Sequence, residues 1–437
     1  MTQAPRIYNL FPLLAGPVET WSAHLPRIAD LGFDWIYLNP FHLPGFSGSL
    51  YAIKDFGRLH PILQGDSPKP AADLMAGFTW AAREHGLRVM ADLVINHTAK
   101  DALLTETAPH WYRRDEEGEL YSPRAVDPDD PENVTIWGDL AEIDYHREEL
   151  RTEQIAYWSA LVQGYLDQGI AGFRCDAAYQ VPAQVWRPLI EVARAAAPGS
   201  VFAAETLGCT VEQVEDLADA GFDYLFNSSK WWNFKAPWLL EQYEDFRHIA
   251  PSIAFPESHD TPRLVAELGE GADLVEVERT YRLRYLFAAM FSSGVMMPIG
   301  YEFGAGEPLH VVDSRPQQWA ALERRPRFDL SGFLKAVNAV KARVPALNVE
   351  GPQTVVSAED AAVVALLREG ANGAAGAVLS LVNPGTDGPE SVDLTALDVP
   401  EGALNGLAEV TPGATGGALD PAATLTVGSL QMRVFAR

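Results

Sequence analysis

GIAGFRCDAA, residues 169–178, decides the architecture of this chain. It is a short apolar segment of strand length, and strands buried on both faces of a parallel sheet read as such runs. It ends on Arg174 and Asp176, charges that are costly at the end of an apolar run unless they are paired or used. Directly before it lies REELRTEQIAYWSALVQGYLDQGI, residues 147–170, where Ile155, Trp158, Val162 and Tyr165 recur at three- and four-residue spacing. That period predicts an amphipathic helix with one face turned inward.

The same unit recurs outward in both directions. Upstream are RIYNLFPLL (6–14), FDWIYLNP (33–40) and LRVMADLVINH (87–97). Downstream are SVFAAETLG (200–208), FDYLFNSS (222–229), SIAFPESHD (252–260) and GVMMPIGYEFG (294–304). With the opening segment they number eight, which a closed (β/α)8 TIM barrel of the α/β class requires. Residues 98–144 break the rhythm, and DEEGELYSPRAVDPDDPENV (115–134) has no sustained period, so a short insertion after strand three is expected. After 345 the runs shorten to pieces such as GAVLSLVNP and LQMRVFAR between Gly, Pro, Asn and Asp, which predicts a C-terminal antiparallel β domain. The expected division is a barrel over 1–97 and 145–345, the insertion over 98–144, and a β-sandwich over 346–437.

Composition narrows the function. A net charge of −26 repels phosphate backbones and anionic lipid, so neither nucleic acid nor membrane is expected as a partner. The 47% hydrophobic and 21% charged fractions are those of an ordinary globular protein. The N-terminal MTQAPRIYNLFPLL has no signal-peptide pattern and no stretch reaches membrane-spanning length, which makes cytoplasmic residence the default expectation. Cys175 and Cys209 are the only cysteines and are expected as reduced thiols.

The charged residues cluster at strand ends. Asp92 and His97 close the third strand, Arg174 and Asp176 the fourth, Glu205 the fifth, His259 and Asp260 the seventh. In a parallel barrel these ends share one face, so an active site is implied there. Each residue alone has an ordinary structural reading, as a cap, an ion pair or a satisfied histidine. Their joint placement weakens that reading. Two carboxylates in different environments suit glycoside cleavage, one attacking the anomeric carbon and one protonating the leaving oxygen. Asp260 and neutral histidines can hold sugar hydroxyls, and Tyr51 offers a face for a sugar ring. Tyr179, Trp231, Trp232 and Phe234 are candidates for outer sugar-stacking subsites, with loop packing as the competing reading.

The segments ADLVINH (91–97), GFRCDAA (172–178), FAAET (202–206) and SHD (258–260) resemble, in order, the four central motifs of the α-amylase family of retaining glycoside hydrolases and transglycosidases. WGDLAEIDY (137–145) and GVMMPIGYEFG resemble further family segments. The resemblance implies Asp176 as nucleophile, Glu205 as general acid/base and Asp260 as transition-state stabiliser, with Asp92, His97, Arg174 and His259 around the sugar. It implies an α-glucan, oligosaccharide or small glucoside as substrate. Tyr179-Gln180 stands where starch-degrading members often carry Lys-His, and Ser258 where asparagine is common. No cofactor and no metal are expected.

Residues 111–145 are also similar to the family's maltosyltransferases that use maltose 1-phosphate, so phosphate-dependent transfer is the alternative, with Lys54 and Lys230 as cations that could meet a phosphate. A non-catalytic sugar-binding barrel would be expected to lack one of the three carboxylates. Metal-dependent hydrolysis would need a ligand cluster that the spacing does not offer.

Overall fold

The computed structural model describes residues 3–126, 132, 134–227, 229–269, 271–370, 376–414 and 416–437. Eight parallel strands close a barrel: β1 (Arg6–Asn9), β2 (Trp35–Leu38), β3 (Arg88–Leu93), β4 (Gly172–Cys175), β5 (Val201–Glu205), β6 (Tyr224–Phe226), β7 (Ser252–Ala254) and β8 (Gly294–Pro298). Each lies within one of the eight apolar segments, and β1 pairs with both β2 and β8. Alternation along the strands makes two cores. Ile7, Trp35, Tyr37, Met90, Ala203, Phe226 and Met296 fill the barrel, while Ile36, Val89, Phe173 and Phe202 face the helices. Gly172 serves that filling, because a Cβ there would stand 2.9 Å from both the Trp35 ring and the Val201 carbonyl.

The outer layer includes α1 (Ala71–Glu84), α2 (Glu148–Asp167), α3 (Ala183–Ala196), α4 (Trp238–Phe246), α5 (Leu274–Phe291) and α6 (Ser331–Arg343). In α2 the buried face is Leu150, Gln154, Trp158, Val162 and Tyr165, with Ile155 half-buried at its margin. Glu148 and Glu149 occupy its first turn, where carboxylates meet the positive end of the helix dipole.

The insertion after β3 is built from two short antiparallel pairs, His97–Ala99 with Leu140–Glu142 and Arg124–Val126 with Val134–Ile136. Three-residue strands are too short to print a period, which is why the segment reads as aperiodic. Beyond α6, β9 (Gln353–Val355), β10 (Val364–Glu369), β11 (Ala377–Asn383), β12 (Ala408–Glu409) and β13 (Gln431–Ala436) form an antiparallel sheet in the order β9-β10-β11-β13-β12. Val364, Leu366, Val378 and Val434 pack toward the barrel helices, while Ala365, Leu367, Leu379 and Phe435 form a second core on the other face. Among the described residues no helix is long and apolar enough to cross a membrane.

Candidate active site

Strand register brings the charges together. Arg174 pairs across from Asp92, and Cys175 from Ala204, so the next residues, Asp176 and Glu205, emerge side by side at the barrel mouth. Arg174 is buried, and its Nη1 donates to Asp92 Oδ1 at 3.0 Å and to the Asp176 carboxylate. Its Nη2 stands 3.7 Å from Glu205 Oε2. One guanidinium thus faces three carboxylates.

Glu205 is held by the backbone: the Ala177 N–H donates to Oε2 and the Leu207 N–H to Oε1, both at 2.8 Å. Burial pushes its carboxyl up to about 7, Arg174 pulls it down, and the charges of Asp176 and Asp260 push it further. Burial also raises Asp92 against the pull of Arg174. Asp92 Oδ2 accepts from the hydroxyls of Tyr37 at 2.6 Å and Tyr51 at 2.8 Å.

With its own proton given to Asp92, Tyr51 Oη accepts from His259 Nε2 at 2.6 Å, and the two rings stack with an interplanar angle of 6°. His259 Nε2 also lies 3.1 Å from Asp260 Oδ2. Burial lowers both His97 and His259 from the ordinary histidine value, which keeps them neutral at pH 7. Neither ring nitrogen of His97 has a hydrogen-bond partner among the described residues, so it has polar capacity left for a ligand.

These side chains open on a cleft of about 520 Å³. Tyr51, His97, Arg174, Asp176, Glu205, Asp260, Tyr179 and Trp231 all line it, while Asp92 and His259 stand behind Arg174 and Tyr51. Trp232 and Phe234 are corrections to the expected outer subsites. Trp232 is wholly buried, stacked on Phe287 with its Nε1 donating to the Ala236 carbonyl. Phe234 is buried against the same ring. Both anchor the loop that leaves Trp231 55% exposed. Lys54 and Lys230 are ion-paired with Asp101 and Glu267, and neither lines the cleft.

Sequence reading passed over Tyr37, which looks like one more apolar strand residue, and Trp137, Asp139 and Leu207, which also line the cleft. The signal for Trp137 and Asp139 was their place in WGDLAEIDY. Among the described residues no cluster of His, Cys, Asp and Glu forms a metal-binding group.

A family model described as the glucanotransferase domain of glycogen debranching enzyme matches residues 5–114. The alpha-1,4-glucan:maltose-1-phosphate maltosyltransferase of Burkholderia pseudomallei is 30% identical over 373 residues, 84% of this chain and 31% of that protein. The enzyme of that name from Myxococcus xanthus is 27% identical over 76% of this chain and 50% of its own length. The chain therefore spans only 31% to 50% of the length of these relatives. Among solved structures, an α-amylase from Lactobacillus plantarum superposes with a TM-score of 0.73 at 22% identity, covering 99% of this chain and 98% of that one. An α-amylase from Geobacillus thermoleovorans complexed with acarbose gives 0.75 at 15% identity, covering 100% and 99%.

The closed barrel carries its carboxylates at the carboxyl ends of β3, β4 and β5 and after β7, and its fold is the one these two α-amylase structures share. The four ordered motifs and these sequence relatives, maltosyltransferases among them, support the likeness of the chain to the α-amylase family.

Proposed function

We propose that this chain is a retaining enzyme acting on α-glucosidic bonds of an α-glucan or oligosaccharide, by hydrolysis or transfer. The observation that carries the reading is the pair at the mouth of β4 and β5: Asp176 fastened to Arg174, and Glu205 raised to about 7 by burial. Asp176 attacks the anomeric carbon while Glu205 protonates the departing oxygen. Glu205 then takes the proton of the incoming hydroxyl as that oxygen displaces Asp176, and two inversions return the original anomer. Asp260 stabilises the positive charge that develops on the sugar ring, Tyr51 and His97 face its hydroxyls, and His259 holds Tyr51 from behind. In this reading 98–144 forms one wall of the cleft, through Pro123, Trp137 and Asp139.

The test is to trap the covalent intermediate with a fluorinated glucosyl fluoride and map the modified peptide. Attachment at Asp176, with α-configured products by NMR, is the expected result. Attachment elsewhere, or a β-configured product, overturns it. The relatives named for maltose 1-phosphate favour a second reading, in which phosphate is the leaving group.

A further inference from the structure

We propose that the leaving-group side of this cleft takes a neutral sugar residue, and that a sugar 1-phosphate is not a donor for this chain. The inference rests on the retaining reading above and concerns the group that departs with the proton of Glu205.

Among the described residues the cleft is lined by Asp139, Asp176, Glu205 and Asp260 against a single cation, Arg174. That cation is committed: Nη1 serves Asp92 and Asp176, and Nη2 faces Glu205. Backbone amides are the other common phosphate ligands. Two backbone amides at this site, on Ala177 and Leu207, already donate to Glu205 itself. Lys230, whose ammonium lies 5.9 Å from the Trp231 ring centroid, is buried and gripped by Glu267 at 2.6 and 2.7 Å. The positions left undescribed between 126 and 134, and at 228, include no lysine or arginine.

A phosphate dianion would therefore enter a field of carboxylates with no uncommitted cation among the described residues that line it. The surface beyond Glu205 is instead aromatic, apolar and amide: Tyr179, Gln180, Leu207, Gly208 and Trp231. Such a surface stacks on a pyranose ring and hydrogen-bonds its hydroxyls without charge. The step balances with a neutral partner. The C1–O bond of the donor breaks as its oxygen takes the proton of Glu205, and the Asp176 oxygen bonds to C1. Water or a sugar hydroxyl later bonds to C1 and returns a proton to Glu205.

The experiment offers the intact protein maltoheptaose with and without inorganic phosphate, and α-maltose 1-phosphate with maltohexaose as acceptor. Expected are shortened or redistributed oligosaccharides at a rate indifferent to phosphate, with α-maltose 1-phosphate left unconsumed. Phosphate-dependent release of an α-sugar phosphate, or consumption of α-maltose 1-phosphate, overturns the proposal. If neither donor turns over, the retaining reading fails, and calorimetry on the same protein still decides the charge preference. Maltotetraose should bind at least about tenfold tighter than α-maltose 1-phosphate. The reverse order overturns the proposal.

Discussion

Arg174 and Arg368 are both buried guanidiniums, and their surroundings are opposite. Arg174 faces Asp92, Asp176 and Glu205, three acids to one cation, at the floor of an open cleft. Arg368, on β10, donates to the carbonyls of Met290, Phe291 and Val349. Beside it Lys341 on α6 donates to the carbonyls of Ala289, Ser292 and Leu347. Together they satisfy the carboxyl end of α5, where the last carbonyls lack partners and the helix dipole favours cations. The first cluster keeps an imbalance of charge that a substrate can use. The second spends its cations on carbonyls and joins the sheet domain to the barrel. Buried charge alone does not mark a site; buried charge left unbalanced at a cavity does.

Removing one residue from each cluster gives the widest separation. Asp176→Asn should lower kcat more than about 10⁴-fold, because the nucleophile is gone. Its Tm should hold or rise, since one of three crowded carboxylates loses its charge. Lys341→Met should do the opposite, costing about 3 kcal/mol or more in urea unfolding by leaving buried carbonyls bare. The activity of its folded fraction should be unchanged. A D176N protein that unfolds early, or a K341M protein that folds normally but is inactive, would break the comparison.

The next effect separates the clusters by pH. The folded value of Glu205, about 7, lies above the ordinary 4.5, so between those values the native state holds a proton that the unfolded chain releases. The associated stability is complete below pH 4.5 and is lost as pH rises through 7, on the order of 3 kcal/mol. Glu205→Gln mimics the protonated acid at every pH. It should therefore be more stable than the parent at pH 8 and converge with it near pH 4.5. The parent's kcat/KM should also fall on the alkaline side with an apparent pKa near 7, where the acid is lost. Parallel denaturation curves for the two proteins at all pH values would remove Glu205 from this role.

Adjacent tryptophans carry the contrast to a smaller scale. Trp232→Ala opens a cavity beside Phe287 and should cost about 3–5 kcal/mol of stability. Trp231→Ala should leave stability alone and raise KM for oligosaccharides about threefold to tenfold through a lost stacking surface. The sequence could not assign these roles, because WWNF has no period. Which ring turns inward depends on a backbone reversal at Phe234, φ 67°, and on a partner some 50 residues away. The barrel strands were legible because burial on both faces writes itself as unbroken apolar runs, and Asp176, Glu205 and Arg174 because they end such runs. Tyr37 was hidden for the same reason: within WIYL its hydroxyl is invisible until β3 sets Asp92 beside it. Lys341 and Arg368 looked like surface charges, since neither sequence period nor composition says that α5 ends beneath them.

The smallest effect is expected at Ala177, between the two clusters' kinds of role. Its φ of 39° and ψ of 49° put a non-glycine residue in the left-handed region directly after Asp176. That conformation costs an L-residue roughly 1–2 kcal/mol, and it turns the Ala177 N–H onto Glu205 Oε2. Ala177→Gly relieves the strain but gives the unfolded chain about 0.5–1 kcal/mol of added entropy, so stability should change by less than about 1 kcal/mol, toward stabilisation. The freer backbone should hold Glu205 less well, lowering kcat a few-fold with KM unchanged. If A177G instead kept full kcat and raised Tm, the strain would be an accident of the turn and Glu205 would owe its position to Leu207 alone. A fall in kcat with a gain in Tm would show backbone strain placing the acid.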